Sequence, residues 1–192
     1  GAFNTAVGAR AMLTQQGCGG CNVAVGNDAM RYSTCGRLNT AVGVCALNSS
    51  LNASENTAIG YQALFGLTTG AKNIAIGNQA GGVTTGSSNI AIGCKAGDRI
   101  QQGCNNVAIG TQAMKYGSNN KSNIAIGDCA MYGGKTTAHN IAVGVMALMY
   151  GSCGATAHAD GYNVAIGGCS MRTNRTGLCN TAVGGRTLTC MC

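Results

Sequence analysis

A five-residue phrase, Asn-x-Ala-(Val/Ile)-Gly, recurs eleven times along the 192 residues of this chain. Consecutive copies start 16 to 18 residues apart, except for one interval of 23 residues. A repeat this short cannot bury its apolar side alone and must stack on its neighbours. The sequence therefore predicts one all-β domain over residues 1–192, a parallel β-solenoid of eleven coils of about 17 residues. The coils start at Asn4, Asn22, Asn39, Asn56, Asn73, Asn89, Asn106, Asn123, Asn140, Asn163 and Asn180.

Composition agrees with a packed repeat. Glycine contributes 32 residues and proline none, but hydrophobic residues make up 45% of the chain and recur in register. A periodic apolar set gives each coil something to bury, which argues against disorder. No apolar run approaches membrane-spanning length, so no membrane span is expected. The chain begins at Gly1, almost directly before the first motif, which suggests a processed product or a piece of a longer protein.

Side-chain size alternates along each motif, counted here from its Asn as position 0. Positions 1 and 3 carry Val, Ile or Thr, whereas position 2 is always Ala and position 4 always Gly. Because β-branched residues suit a packed strand, we expect positions 1 and 3 to face the core. The small Ala/Gly side is expected to meet another backbone. Ala at position 7 and Leu or Met at position 8 predict a second short strand, with Gly81 and Gly97 as exceptions.

The motif asparagines recur in phase with the coils. An amide side chain can donate to the copy on one side and accept from the copy on the other, as in asparagine ladders. The spacing therefore predicts a continuous Asn column along a rod about 50 Å long.

Strings such as NTAVGVCAL, NTAIGYQALFGLTTGAKNIAIGNQA and NIAIGDCAM resemble the head repeats of trimeric autotransporter adhesins and, more closely, the repeats of phage tail fibres. The resemblance extends over the whole chain. It implies a parallel β-roll in which three chains pack side by side as a homotrimer. It also implies a fibre whose role is either that of a spacer or that of a receptor binder.

The twelve cysteines favour disulfides or free structural thiols over zinc, because no close pair has a second pair or histidines at zinc-ligand spacing. Cys18 and Cys35 lie one repeat apart, within disulfide reach on adjacent coils. In the implied trimer, opposite corners of neighbouring chains can meet, which predicts interchain bridges Cys94–Cys104 and Cys169–Cys179. Head-to-tail stacking into a filament is a further hypothesis, with end contacts through the cysteines of the first and last coils, Cys18, Cys21, Cys190 and Cys192.

The chain carries 12 basic and five acidic residues, a net charge of +7. The basic residues form no run. Many recur six or nine residues after a motif Asn, at Arg10, Lys95, Arg186, Arg31, Lys115 and Arg172. This spacing predicts sparse outer columns and favours solvation over specific anion binding, with no nucleic acid partner.

The long interval holds an outward insertion at 151–161, in which His158 and Asp160 are candidate binding residues. A tolerated surface loop is the preferred interpretation of this insertion. Four possible glycosylation sites, predicted to face outward, are Asn48, Asn52, Asn120 and Asn174.

The acidic residues scatter over different phases of the repeat, and no nucleophile pairs with a histidine in a motif. We therefore expect no catalysis, cofactor or metal. The sequence favours a non-enzymatic fibre or filament subunit, extracellular, at a cell surface or on a virion, that serves as a rigid stalk with possible adhesion. The alternative is a carbohydrate- or surface-binding adhesin module. The expected partners are further copies of the chain, as a homotrimer or a head-to-tail filament, and cell-surface glycans.

Overall fold

The computed structural model describes residues 3–14, 18–82, 85–133, 137–149, 161–174 and 177–191. Within these ranges the protein is an all-β parallel β-solenoid of about nine turns without a helix. The described strands are β1 (Thr5–Val7), β2 (Val23–Val25), β3 (Thr40–Val42), β4 (Thr57–Ile59), β5 (Ile74–Ile76), β6 (Ile90–Ile92), β7 (Val107–Ile109), β8 (Ile124–Ile126), β9 (Ile141–Val143), β10 (Val164–Ile166), β11 (Thr173–Asn174), β12 (Thr181–Val183) and β13 (Cys190–Met191).

One long parallel sheet organises the molecule. Strands β1 to β10, followed by β12, lie side by side in chain order. Each motif Ala pairs with the motif Ala of the next strand, so the register is the same along the whole sheet. A second, two-stranded parallel sheet joins β11 to β13 near the end of the chain. The interval of 23 residues leaves the register of β9 and β10 unchanged.

The segment after each strand is a turn rather than the second strand that the sequence predicts. Positions 6 and 8 adopt positive φ in every coil, as at Asp28 (58°) and Met30 (49°). The backbone there still bonds from coil to coil: the N–H of Met30 donates to the carbonyl of Ala46 at 3.0 Å. The prediction of a strand at positions 7 and 8 is therefore wrong. The left-handed residues turn the chain around the rod while its polar groups stay paired.

The interior is filled by alanine and by one larger side chain per coil. The motif alanines from Ala24 to Ala182 are buried, and the predicted Val/Ile core is wrong. Position 7 adds a second buried Ala in most coils, and position 8 adds a buried Met or Leu at Met30, Leu47, Leu64, Met114, Met131, Leu148 and Met171. A coil of about 17 residues encloses a narrow space. Once this larger side chain lies inside, only a methyl group fits opposite it on the strand.

Two coils lack the larger side chain at position 8. A Cβ on Gly81 would lie 2.8 Å from Cδ2 of Leu64, and one on Gly97 would lie 3.1 Å from Cδ1 of Ile100. Leu64 and Ile100 therefore take up the space that Met or Leu fills elsewhere. Leu67, at the same position of its coil as Ile100, is buried as well. A small gap of about 10 Å³ remains beside Gly81 and Gly97, so Leu64 and Ile100 fill the interior only in part.

Candidate functional site

The outer side of the long sheet is apolar and accessible to solvent. Positions 1 and 3 of the strands point outward, and the larger ones in β2 to β10 are up to 41% exposed. The most exposed of these are Val23, Val42, Ile59, Ile74, Ile76, Ile124, Ile126, Ile141 and Ile166. We call this surface the outer face. On the other side, the Ala of position 2 lies inside the coil, and the Gly of position 4 meets the backbone of the neighbouring coil, as the sequence predicts.

Glycine at position 4 allows neighbouring coils to approach closely at the end of the outer face. Gly60 has φ of 128°, and a Cβ on it would lie 2.5 Å from the carbonyl oxygen of Gly77. Both the backbone conformation and the space therefore require glycine at this corner. The result is a turn at the same place in every coil, directly after each strand of the outer face.

The motif asparagines form a buried column at the start of the strands. In the central coils the Nδ2 group of each Asn donates to Oδ1 of the Asn before it, as from Asn123 to Asn106 at 3.2 Å. The same Oδ1 atom accepts the backbone N–H of Asn123 at 3.1 Å. A further bond from Nδ2 of Asn123 to the carbonyl of Thr137 closes the corner at 2.7 Å. These bonds fix the axial register of the strands.

Cysteines occupy several corners of the rod. Cys18 and Cys35 form a disulfide between the first two coils, with their Cα atoms 4.8 Å apart. The free cysteines among the described residues are Cys21, Cys45, Cys94, Cys104, Cys129, Cys169 and Cys179, so Cys94, Cys104, Cys169 and Cys179 form no bridge within the chain. Cys190 lies in β13 beside β11, and Cys192 lies outside the described residues.

Three of the four predicted glycosylation sites do not face outward. Asn48, Asn120 and Asn174 are buried, which corrects the prediction for them, whereas Asn52 is exposed. Nδ2 of Asn48 donates to the carbonyl of Asp28 at 2.9 Å, and Oδ1 of Asn174 accepts from the N–H of Gly177 at 2.8 Å. In these coils the asparagines satisfy backbone groups at turns. The predicted binding loop with His158 and Asp160 lies outside the described residues, apart from Gly161.

A cavity of about 310 Å³ opens beside the turns that follow β4 to β7, and we call it the notch. Two columns of side chains line most of it: position 6 supplies Gln62, Gln79 and Lys95, and position 9 supplies Phe65, Asp98 and Lys115. Gly82 takes position 9 in the coil between Phe65 and Asp98, and a Cβ there would collide with the Asp98 carboxylate. The missing side chain of Gly82 therefore opens the notch.

Charge in the notch is unbalanced. Lys95, Arg99 and Lys115 face a single carboxylate, that of Asp98. Burial raises the pKa of Asp98, and the positive charges of Arg99, Lys115 and Lys95 only partly oppose this effect. Among the residues that the structure describes, the ion pairs within 4.0 Å involve Asp28, with Arg10 and Arg31. None of the three cations of the notch is thus neutralised by a direct ion pair with Asp98.

Two tyrosines hold the basic side chains at one end of the notch. The rings of Tyr116 and Tyr132 meet edge to face at 5.0 Å. Nζ of Lys115 lies 4.9 Å from the Tyr116 ring centroid and 5.7 Å from that of Tyr132, and the Arg99 guanidinium lies 5.3 Å from Tyr116. Hydrogen bonding to Tyr132, the largest cause, and to Lys115, the second, lowers the pKa of the Tyr116 hydroxyl. These cation–π contacts orient both cations without neutralising them.

No protein-family model, curated protein or solved structure matches the chain.

Two further observations concern the described residues alone. They contain no helix long and apolar enough to cross a membrane. They also contain no group of three or more His, Cys, Asp or Glu side chains placed to hold a metal ion. Sequence reasoning recognised Lys95 and Lys115 as members of outer columns, but it missed the notch. The available signal was Gly82, since it alone among the described coils has glycine at position 9.

Proposed function

We propose that this chain is a non-enzymatic structural subunit of a fibre or filament, outside the cell, on a cell surface or on a virion, where it acts as a rigid stalk. The observation that carries the proposal is the outer face. Soluble monomers rarely expose a contiguous apolar patch larger than a few hundred Å². Strands spaced at about 4.8 Å give the face a length of about 50 Å and an area on the order of 500 Å². This is at the upper end of the largest apolar patches on typical monomers, which are often functional.

The proposed partner on the outer face is a second and a third copy of the chain. The eleven strands of the long sheet carry Val, Ile or Thr at positions 1 and 3 and keep one register. A face with this regular period fits another copy of itself better than an irregular surface, because strands can meet equivalent strands. In the proposed trimer, three such faces meet around one axis and cover part of one another's apolar surface. The resemblance of the repeats to trimeric adhesin heads and phage fibres supports the same arrangement.

The proposal includes covalent and axial contacts. Cys94–Cys104 and Cys169–Cys179 would bridge neighbouring chains of the trimer, since these cysteines are free within one chain. Among the described residues, β1 and β12 are the outermost strands of the long sheet, and exposed strand edges attract further strands. Head-to-tail stacking with contacts through the cysteines of the end coils, including Cys21 and Cys190, would extend the rod into a filament.

The mass in solution tests the proposal. We expect sedimentation to give three times the 19.1 kDa chain mass, and electron microscopy to show rods or filaments. Replacing Ile76 and Ile126 with Glu on the outer face should reduce the particle to one chain. The matched control replaces Leu13 and Leu51 with Glu, because both are exposed but lie outside the strands. A wild-type protein that remains a single chain at all concentrations would overturn the proposal.

The disulfide part has a test of its own. A denaturing gel without reductant should show dimers and trimers that collapse to one band on reduction. Removal of Cys94 and Cys169 together should abolish these bands, whereas removal of Cys45 and Cys129 should leave them. Monomer alone without reductant would exclude the interchain bridges and leave the non-covalent trimer to be judged by its mass.

A further inference from the structure

We propose that the notch binds an anionic sugar unit of a glycan, with the carboxylate or sulfate group of the sugar held by Lys95, Arg99 and Lys115. This inference goes beyond assembly. It assigns a ligand class to one place on the rod, between the turns that follow β4 and β7. It also changes the expectation for the basic columns, since Lys95 and Lys115 converge on a cavity rather than lie along a solvated surface.

The first argument is charge. Three cations border the cavity, and the single carboxylate there forms no direct ion pair with them. Arg99 and Lys115 are held over tyrosine rings, so their side chains lose less freedom when an anion arrives. Hydrogen bonds between such cations and a carboxylate or sulfate oxygen are charge-assisted and stronger than neutral ones. The site is thus prepared for an anionic group.

The second argument is the chemistry of the remaining lining. Phe65 is 38% exposed beside the notch and offers a flat apolar surface to the C–H face of a sugar ring. Nε2 of Gln79 donates to Oε1 of Gln62 at 2.9 Å. This bond does not use Nε2 of Gln62 or Oε1 of Gln79, which remain suited to hydroxyl groups. A carboxylate, two amides, a ring and three cations together fit a ligand that carries hydroxyls, an apolar face and a negative charge.

The third argument is shape. A cavity of about 310 Å³ is at the small end of ligand pockets and has room for one or two sugar rings. A nucleic acid would instead require cations spread along the rod to follow a phosphate backbone. Here the three cations belong to two adjacent coils. The compact cluster favours one anionic sugar unit over a long polyanion.

The notch and the outer face are separate surfaces. None of the Val, Ile or Thr residues at positions 1 and 3 lines the notch. A trimer that forms without glycan binding, or glycan binding by a single chain, would therefore distinguish failure of one proposal from failure of the other.

Titration calorimetry on the full chain tests the site. The probes are a disaccharide with a uronic acid, a disaccharide with a sulfate ester, their neutral parent, inorganic sulfate and a short DNA duplex. We expect at least one charged disaccharide to bind about tenfold or more tightly than the neutral parent. A preference for the uronate assigns a carboxylated glycan, and a preference for the ester assigns a sulfated one.

Two double variants provide the matched comparison. Lys95→Gln with Lys115→Gln removes two charges at positions 6 and 9 of the notch. Arg186→Gln with Arg172→Gln removes two charges at the same positions of other coils, where both residues are exposed. We expect the first pair to weaken binding of the charged disaccharide about tenfold or more and the second to leave it nearly unchanged. Phe65→Ala should weaken disaccharide binding but not the weak binding of inorganic sulfate.

Four results would overturn the proposal. They are equal affinity for charged and neutral disaccharides, equal losses in the two double variants, no binding of either charged disaccharide at millimolar concentration, and tighter binding of the DNA duplex than of both. Circular dichroism of each variant should match the wild type, so that a loss of binding reports the site rather than the fold.

Discussion

The two sides of each strand of the long sheet differ in side-chain size, and the smaller apolar residue, rather than the larger one, is buried. Inside lies alanine, the smallest apolar side chain, and it is almost fully buried from β2 to β12. Outside lie valine and isoleucine, which remain more than one third exposed at many positions. Hydrophobicity alone would place the larger residues inside. The narrow interior of the coil admits alanine instead, and the larger apolar residues remain on the accessible outer face.

Polar residues follow the same division. The inner side of the rod includes the Asn column, in which every central amide has partners on the coils beside it. The outer side has scattered charges and the notch. The inner contacts recur from coil to coil, whereas the charged groups outside gather in only a few coils. This contrast predicts that inner substitutions change folding and that outer substitutions change association.

The largest expected effect is at the Asn column. Asn123→Ala removes the acceptor for the backbone N–H of Asn140 and the donor to the carbonyl of Thr137. The N–H of Asn140 becomes buried without a partner, whereas the carbonyl of Thr137 keeps the N–H of Lys121. Together with the loss of the side-chain bonds of Asn123, this should lower the free energy of unfolding by about 2–5 kcal/mol. Urea unfolding followed by circular dichroism measures it. The control is Asn119→Ala at an exposed asparagine. Similar small losses in both variants would show that the column does not stabilise the fold.

The next effect concerns the narrow interior. Ala125→Leu adds three carbons to a position with no exposed surface. Overpacking of this kind typically costs about 1–3 kcal/mol, and we expect a loss in that range. Ala9→Leu, at an exposed position of the first coil, is the matched control and should be near neutral. A gain in stability for Ala125→Leu would show that the interior has unfilled space.

The sequence predicts the period, the parallel solenoid and the alignment of the asparagines, because all three follow from spacing. It does not predict which side of the strand is buried. In a strand such as Ile124–Ile126 both sides are apolar, so polarity cannot distinguish them. The deciding quantity is the interior width, which depends on the turn at positions 6 to 8. That turn has left-handed residues such as Gln112 and Met114, which side-chain patterns do not reveal.

The notch escapes sequence reasoning for a different reason. Phe65 and Lys115 are fifty residues apart, and only stacking brings them to one cavity. Their shared position 9 was visible in the repeat. The effect of Gly82 was not visible, because the absence of one side chain opens a cavity only where side chains of the adjacent coils surround it. Local exceptions to a repeat are thus the places to search for function.

An outer substitution should separate folding from association. Ile124→Thr keeps a β-branched residue, and Thr already occupies position 1 in other strands, such as β3. Because Ile124 is partly exposed, we expect the unfolding free energy of the separated chain to change by no more than about 0.5–1 kcal/mol. Sedimentation should nevertheless show weaker association. Loss of fold stability equal to that of Ala125→Leu would contradict the distinction between the two sides.

The smallest expected effect is at Asp98 and depends on pH. Burial, the largest cause, raises the pKa of this carboxyl above its usual value of 3.8. The folded chain therefore binds the proton more tightly than the unfolded chain, so the stability that this group contributes is full below pH 3.8 and is lost as pH rises through the raised pKa. Asp98→Asn should remove this dependence. The measurement is the difference in unfolding free energy between wild type and variant from acid to neutral pH, and it should fall as pH rises. Because Asp98 is only partly buried, water and the nearby cations keep the change small.

A difference that rises with pH would mean that Lys95, Arg99 and Lys115 stabilise the carboxylate more than burial opposes it. The cations would then already be engaged, and the notch would have less charge to offer a ligand.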